Sequence, residues 1–216
     1  VDKQLVGKAN YTIGEEVVYD ILVTLPEGIT KDVIVTDIMP AGLGFVDATV
    51  ITSNAGSDLL TADFSGTLPT PTRVTTAGDG NDITWTFGNV TVPGTVNPGN
   101  SSFVIRMTTV VKNILSNQRT VVLPNRATLT YTNPNTNLPV TLTDPVVNIT
   151  LVEPILQVAK SVVAPTGADA GDTITYTIVL THATGSVGTA WGAVLTDTIP
   201  ADLIDLVLKP VAATGM

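Results

Sequence analysis

The chain has 216 residues, enough for one large or two ordinary domains with real cores. It carries no Cys, a single His, and 10 Lys+Arg against 19 Asp+Glu, for a formal net charge of -9. That composition excludes disulfide frameworks, thiolate metal sites and cysteine nucleophiles, leaves triads and two-His zinc sites short of imidazoles, and speaks against nucleic-acid partners, which need clustered cations.

Thr, Val and Ile outweigh the helix formers, and 18 Gly with 14 Pro punctuate them, the pattern of many short strands joined by turns. The fold class is all-β. In chain order the strands are expected at 16–25, 32–36, 44–52, 83–87, 101–111, 120–132 and 140–152. In Thr128-Leu129-Thr130-Tyr131-Thr132 the apolar residues and the threonines alternate, so one face is expected in a core and the other in water. Turns are expected at 68–71, 78–82 and 133–135. Such spacings describe an antiparallel, immunoglobulin-like β-sandwich. No apolar run is long enough to span a bilayer, and Val1-Asp2 lacks the basic start of a secretory leader. The sequence thus reads as a processed form, a fragment or part of something longer.

A repeat organises the chain. Gly14-Glu15-Glu16-Val17-Val18-Tyr19-Asp20-Ile21 recurs, 157 residues on, as Gly171-Asp172-Thr173-Ile174-Thr175-Tyr176-Thr177-Ile178, and Lys3 falls on Lys160 at the same offset. Ile34-Val35-Thr36-Asp37-Ile38-Met39-Pro40-Ala41 recurs, 160 residues on, as Val194-Leu195-Thr196-Asp197-Thr198-Ile199-Pro200-Ala201. The three extra residues belong to the connection from His182 to Gly192. Two tandem sandwiches follow: a complete one over 1–152, and over 153–216 the N-terminal half of a second, to be completed in cis or by a neighbouring molecule through strand addition.

These motifs carry a resemblance. Lys160, the Ala170-to-Ile178 string and Thr196-Asp197-Thr198-Ile199-Pro200 resemble the conserved repeat of prokaryotic cell-surface proteins, catalogued as domain of unknown function 11. Leu123-Pro124-Asn125-Arg126-Ala127-Thr128-Leu129-Thr130-Tyr131-Thr132 is similar to its closing motif and to that of isopeptide-forming backbone domains of Gram-positive pilins. The resemblance implies an extracellular, cell-surface module of a fibre, filament or adhesin stalk. It also implies an amide cross-link from Lys3 to Asn125 with Asp37 as assisting acid, and Lys160 and Asp197 as the second-repeat equivalents. The trio suits the chemistry, since burial makes an amine nucleophilic and holds a carboxyl neutral. Local readings stand beside it: Asp37 precedes a turn at Pro40, Asn125 follows Pro124 where a strand begins, and Lys3 is near a terminus. Lys8 lacks a counterpart in the second repeat.

Other residues carry weaker expectations. Asp79, Asn81 and Asp82 offer oxygens to calcium or form an ordinary polar hairpin. Asn10, Asn89, Asn100 and Asn148 begin glycosylation sequons. Trp85 and Trp191 are expected in the core, and His182 in a solvated connection. The leading function is structural, with no cofactor and with copies of itself or further repeats as partners. The alternative is an adhesin domain binding glycan or protein through the irregular 54–82 segment. Nothing pairs a nucleophile with a base, so no enzyme is expected beyond single-turnover amide formation.

Overall fold

A computed structural model describes residues 1–51, 70–76, 80–92, 101–190 and 192–209, with the side chains of 74–76, 80 and 81 left aside. Thirteen strands lie within these residues: β1 (Asp2–Val6), β2 (Asn10–Tyr11), β3 (Glu16–Thr24), β4 (Gly28–Ile38), β5 (Leu43–Ile51), β6 (Thr72–Thr76), β7 (Gly80–Val92), β8 (Ser102–Val111), β9 (Val122–Thr132), β10 (Pro139–Thr143), β11 (Val147–Leu151), β12 (Leu156–Val163) and β13 (Thr175–His182). The fold is all-β. One sheet runs β1-β3-β8-β5; the other runs β2-β11-β9-β4-β7-β6, with β10 also paired to β9. All these pairings are antiparallel except that of β2 with β11.

Side chains alternate between faces along a strand, and the inward positions of both sheets meet in one core. Val17, Tyr19, Ile21 and Val23 of β3, and Phe103, Ile105 and Met107 of β8, face Val33 and Val35 of β4, Ile83 and Trp85 of β7, and Leu123, Ala127 and Leu129 of β9. Trp85 fills this core as its composition suggests, whereas Trp191 lies outside the described residues.

Several elements differ from the sequence expectation. β1, β2 and β6 are short and mixed in polarity, and they exist through their ladders with β3, β11 and β7. The expected 140–152 strand is two, because Pro145 has no N–H to donate and restricts Asp144 before it. Asp144 N–H instead donates to the Ala127 carbonyl at 3.0 Å. The 80–82 part of the expected turn is strand β7, and 72–76 of the expected irregular segment is β6. β4 is longer than expected and contains a bulge at Asp32, whose φ is 55°. Asp32 carboxylate accepts from Thr132 Oγ1 at 2.7 Å there, one of the few side chains suited to that backbone.

β12 and β13 form a separate two-stranded sheet that repeats local features of the first residues. Lys160 pairs with Ile178 as Lys3 pairs with Ile21. Gly14 and Gly171 both have positive φ, at 85° and 103°, and the turns before them match: Glu15 N–H bonds Thr12 O, and Asp172 N–H bonds Asp169 O. Leu43 N–H bonds Pro40 O, and Leu203 N–H bonds Pro200 O. His182 closes β13 instead of lying in the connection, and its Nδ1 sits 2.7 Å from Ser186 Oγ.

Replacing Trp85 with Ala should cost roughly 3–5 kcal/mol by emptying the centre of the sandwich. Leu115→Ala, at a residue 94% exposed, should change stability by less than about 0.5 kcal/mol. Urea unfolding of the two variants checks the contrast.

Candidate functional site

Three core-facing positions carry polar residues where the alternation calls for apolar ones. On β4 the inward series is Val33, Val35, Asp37; on β9 it is Leu123, Asn125, Ala127, Leu129; on β1 the one buried residue is Lys3. Sheet pairing brings two of them together: Ala127 lies opposite Asp37, so Asn125 is the next inward residue along β9. β1 belongs to the other sheet yet packs against β9 and β11. Its backbone is held there by Lys3 N–H donating to Asp144 Oδ2 at 2.8 Å, from the Pro145-induced break between β10 and β11.

Inside the pocket the Lys3 ammonium is paired with the Asp37 carboxylate, and neither side chain has any solvent exposure. Lys3 Nζ also lies 4.3 Å from the centre of the Tyr19 ring. The Asn125 amide approaches both the Asp37 carboxyl and the Tyr19 hydroxyl, but none of these contacts has hydrogen-bond geometry. Of the six buried side-chain polar atoms without a hydrogen-bond partner among the described residues, four are here: Asp37 Oδ1, both polar atoms of Asn125, and the Tyr19 hydroxyl. Buried polar groups ordinarily find partners, and here Asn125 is enclosed with the polar groups of Lys3, Asp37 and Tyr19.

Burial dominates the electrostatics. It lowers the Lys3 pKa against the opposing pull of Asp37, and it raises the Asp37 pKa against the opposing pull of Lys3. Both shifts move the pair toward free amine and neutral acid. Tyr19 is pushed up by burial first and by the Asp37 charge second, so its phenol stays protonated.

The remaining sequence expectations are placed elsewhere. Lys8 makes a surface pair with Glu15 at 2.8 Å, and Lys160 pairs with Asp197 at 2.7 Å in a partly exposed setting. Asp82 lies in β7; Asp79 and the side chain of Asn81 are outside the described residues, as is most of the 54–82 segment. Asn10, Asn89 and Asn148 are exposed on strands, and Asn89 accepts from Asp32 N–H at 3.3 Å, while Asn100 is not among the described residues. Tyr19 is the site residue that sequence reasoning missed. Its signal was present, since Tyr19 and Tyr176 are the matched aromatics of the repeat.

No family model and no curated protein matches the chain. Among solved structures it is similar to two domains of the major pilin SpaD from Corynebacterium diphtheriae, at 19% identity and TM-score 0.44, covering 79% of this chain and 57% of that one. It is also similar to BcpA, the major pilin subunit of Bacillus cereus, at 16% identity and TM-score 0.47, covering 84% and 54%. The pilus backbone RrgB from Streptococcus pneumoniae aligns at 20% identity and TM-score 0.38, covering 61% and 31%. The chain thus spans little more than half the length of the first two. No helix among the described residues is long and apolar enough to cross a membrane.

The pair's dependence on burial is measurable in an Asn125→Ala chain, where no amide partner exists. Adding Lys3→Met leaves Asp37 buried without its cation and should cost roughly 3–5 kcal/mol near neutral pH. The folded carboxyl then binds its proton more tightly than the unfolded one, so stability is greatest below about 3.8 and is lost as pH rises toward the elevated folded value. Adding Asp37→Leu as well should recover most of the loss and flatten the pH profile. Urea titrations at about pH 4 and about pH 7 read both effects.

Proposed function

We propose that the chain is a structural module of an extracellular surface fibre, filament or adhesin stalk, whose first sandwich closes itself with an amide bond between Lys3 and Asn125. The observation that carries this reading is the sealed pocket holding amine, carboxyl and unpaired amide together. On this reading residues 1–152 are one complete repeat, and 153–216 open a second. Copies of the chain or further repeats are its partners.

The chemistry starts from the neutral form of the pair, toward which burial moves both groups. The Lys3 amine attacks Asn125 Cγ while Asp37, as the neutral acid, donates its proton to Asn125 Oδ1. Asp37 then takes a proton from the attacking nitrogen and returns one to Nδ2. As the Cγ–Nδ2 bond breaks and ammonia leaves, the Oδ1 hydroxyl returns its proton to Asp37 and the carbonyl re-forms, so that the new Cγ–Nζ amide remains with Asp37 regenerated as the neutral acid. Fixed neighbours on β1, β4 and β9 supply the proximity that makes a primary amide reactive toward an amine. The reaction happens once per chain, so it is maturation rather than turnover.

The bond would join β1 of one sheet to β9 of the other and close a loop from residue 3 to residue 125. By the chain-entropy argument used for disulfides, such a closure contributes about 4–5 kcal/mol. Tension entering near the first strand would then pass to β9 without opening the sandwich.

Intact mass should show the loss of one ammonia, and digestion should yield a branched peptide containing Lys3 and Asn125. Asn125→Ala and Asp37→Ala should each show their full unmodified mass, and Asn125→Ala should lower the melting temperature by roughly 10–20 °C. An unmodified mass with separate Lys3 and Asn125 peptides would refute the cross-link.

A further inference from the structure

We propose that residues 183–190 form a strap that fixes the β12–β13 sheet to one end of the first sandwich, so that the two parts of the chain meet at a set angle instead of swivelling. The inference is independent of the Lys3–Asn125 bond.

The link between the two parts is tied down on both sides. Boundaries between folded units ordinarily fall in exposed, mobile linkers, yet Val152, Glu153, Pro154 and Ile155 are all half-buried. Toward the sandwich, Val152 N–H donates to Tyr11 O at 2.9 Å, and the Glu153 carboxylate accepts from Arg119 N–H at 3.1 Å. Toward the sheet, Ile155 N–H donates to Ser186 Oγ at 2.8 Å, and Ile155 O accepts from Ala183 N–H at 2.7 Å. Only Pro154 lies between the residues held by each part. Its ring fixes its own φ and keeps Glu153 extended, so the one residue not held by a hydrogen bond is also the stiffest.

The strap supplies the partners on the second side and then reaches back to the first. Ser186 Oγ, having accepted from Ile155, lies 2.7 Å from His182 Nδ1 and can give that nitrogen its proton. Ser186 N–H donates to Ala183 O at 3.0 Å and closes the turn. Two residues on, Gly188 has a φ of 88° and sits so close to the sandwich that a Cβ there would collide with Thr12 Cγ2. Thr12 is itself buried. A cleft beside this contact is lined by Thr12, Ile13 and Asn113 of the sandwich and by Thr189 and Ala190 of the strap. The connection that contains the strap is three residues longer than its counterpart in the first repeat, and the added length lies in the stretch that reaches Thr12. A joint of this kind holds successive modules of a fibre in one orientation, so that tension crosses it without bending it.

The chain has no Cys, so spin labels can be placed on introduced cysteines without background. Double electron–electron resonance on the full chain carrying Thr141→Cys on the sandwich and Thr177→Cys on the sheet, both at exposed positions, should give one narrow distance distribution. Ser186→Ala, which removes the acceptor of Ile155 N–H, should lose that narrow distribution, and so should Gly188→Ala, whose Cβ drives the strap off Thr12. Adding Thr12→Ala to Gly188→Ala removes the colliding methyl and should bring the narrow distribution back, a rescue that neither backbone strain at Gly188 nor misfolding would allow. A broad distribution in the parent chain overturns the inference, as does a narrow one that Gly188→Ala leaves unchanged or a broadening that Thr12→Ala does not reverse.

Discussion

A cation, a carboxylate and an amide buried at one point between two sheets constrain the whole sandwich. Moving an ion from water into a protein interior costs several kcal/mol, and only close partners offset it. Lys3 reaches Asp37 only because β1 is paired to β3 in one sheet and anchored by Asp144 from the edge of the other. Asn125 reaches the same point only because β9 is in register with β4. Four strands and one Pro-induced break must all be in place before the polar groups meet, so the pocket forms with the tertiary fold and not before it.

β1 has only five residues and lies at the edge of its sheet. Such strands fray readily. A chain without cysteine has no disulfide with which to hold one, in any redox environment. The Lys3, Asp37 and Asn125 arrangement lies at that strand and between the sheets, so the amide bond proposed there would be a redox-independent tie that crosses from one sheet to the other.

Much of this was legible in the sequence, and the period of two carried most of it. β3, β5, β8 and β9 fall within a residue or two of the expected bounds because their inward residues are apolar and their outward ones polar. Asp37 and Asn125 interrupt that phase, and with Lys3 they were named through the resemblance of their motifs to pilin backbone domains. β1, β2 and β6 were not, since two to five residues of mixed polarity become strand only by pairing with a neighbour distant in sequence. The bulge at Asp32 depends on Thr132, 100 residues away, and leaves no local mark. Tyr19 looked like an ordinary core aromatic because its role beside Lys3 comes from the β1 register, not from its own surroundings in sequence.

The two copies of the repeat separate local from cooperative determinants within one molecule. Turns at Gly14 and Gly171, turns after Pro40 and Pro200, and the hairpin register at Lys3 and Lys160 are the same in both, so each is set by a few adjacent residues. Ile34–Ile38 and Val194–Thr198 share a Thr-Asp after two aliphatic residues, yet the first is strand and the second is not. Extended residues gain their hydrogen bonds only from partners, and β4 has two where 194–200 has none among the described residues. Polar pairing follows the same division: Lys160 finds Asp197 without a sandwich, but only the completed sheets around Lys3 and Asp37 remove the water. The contact is therefore local, and its burial is cooperative.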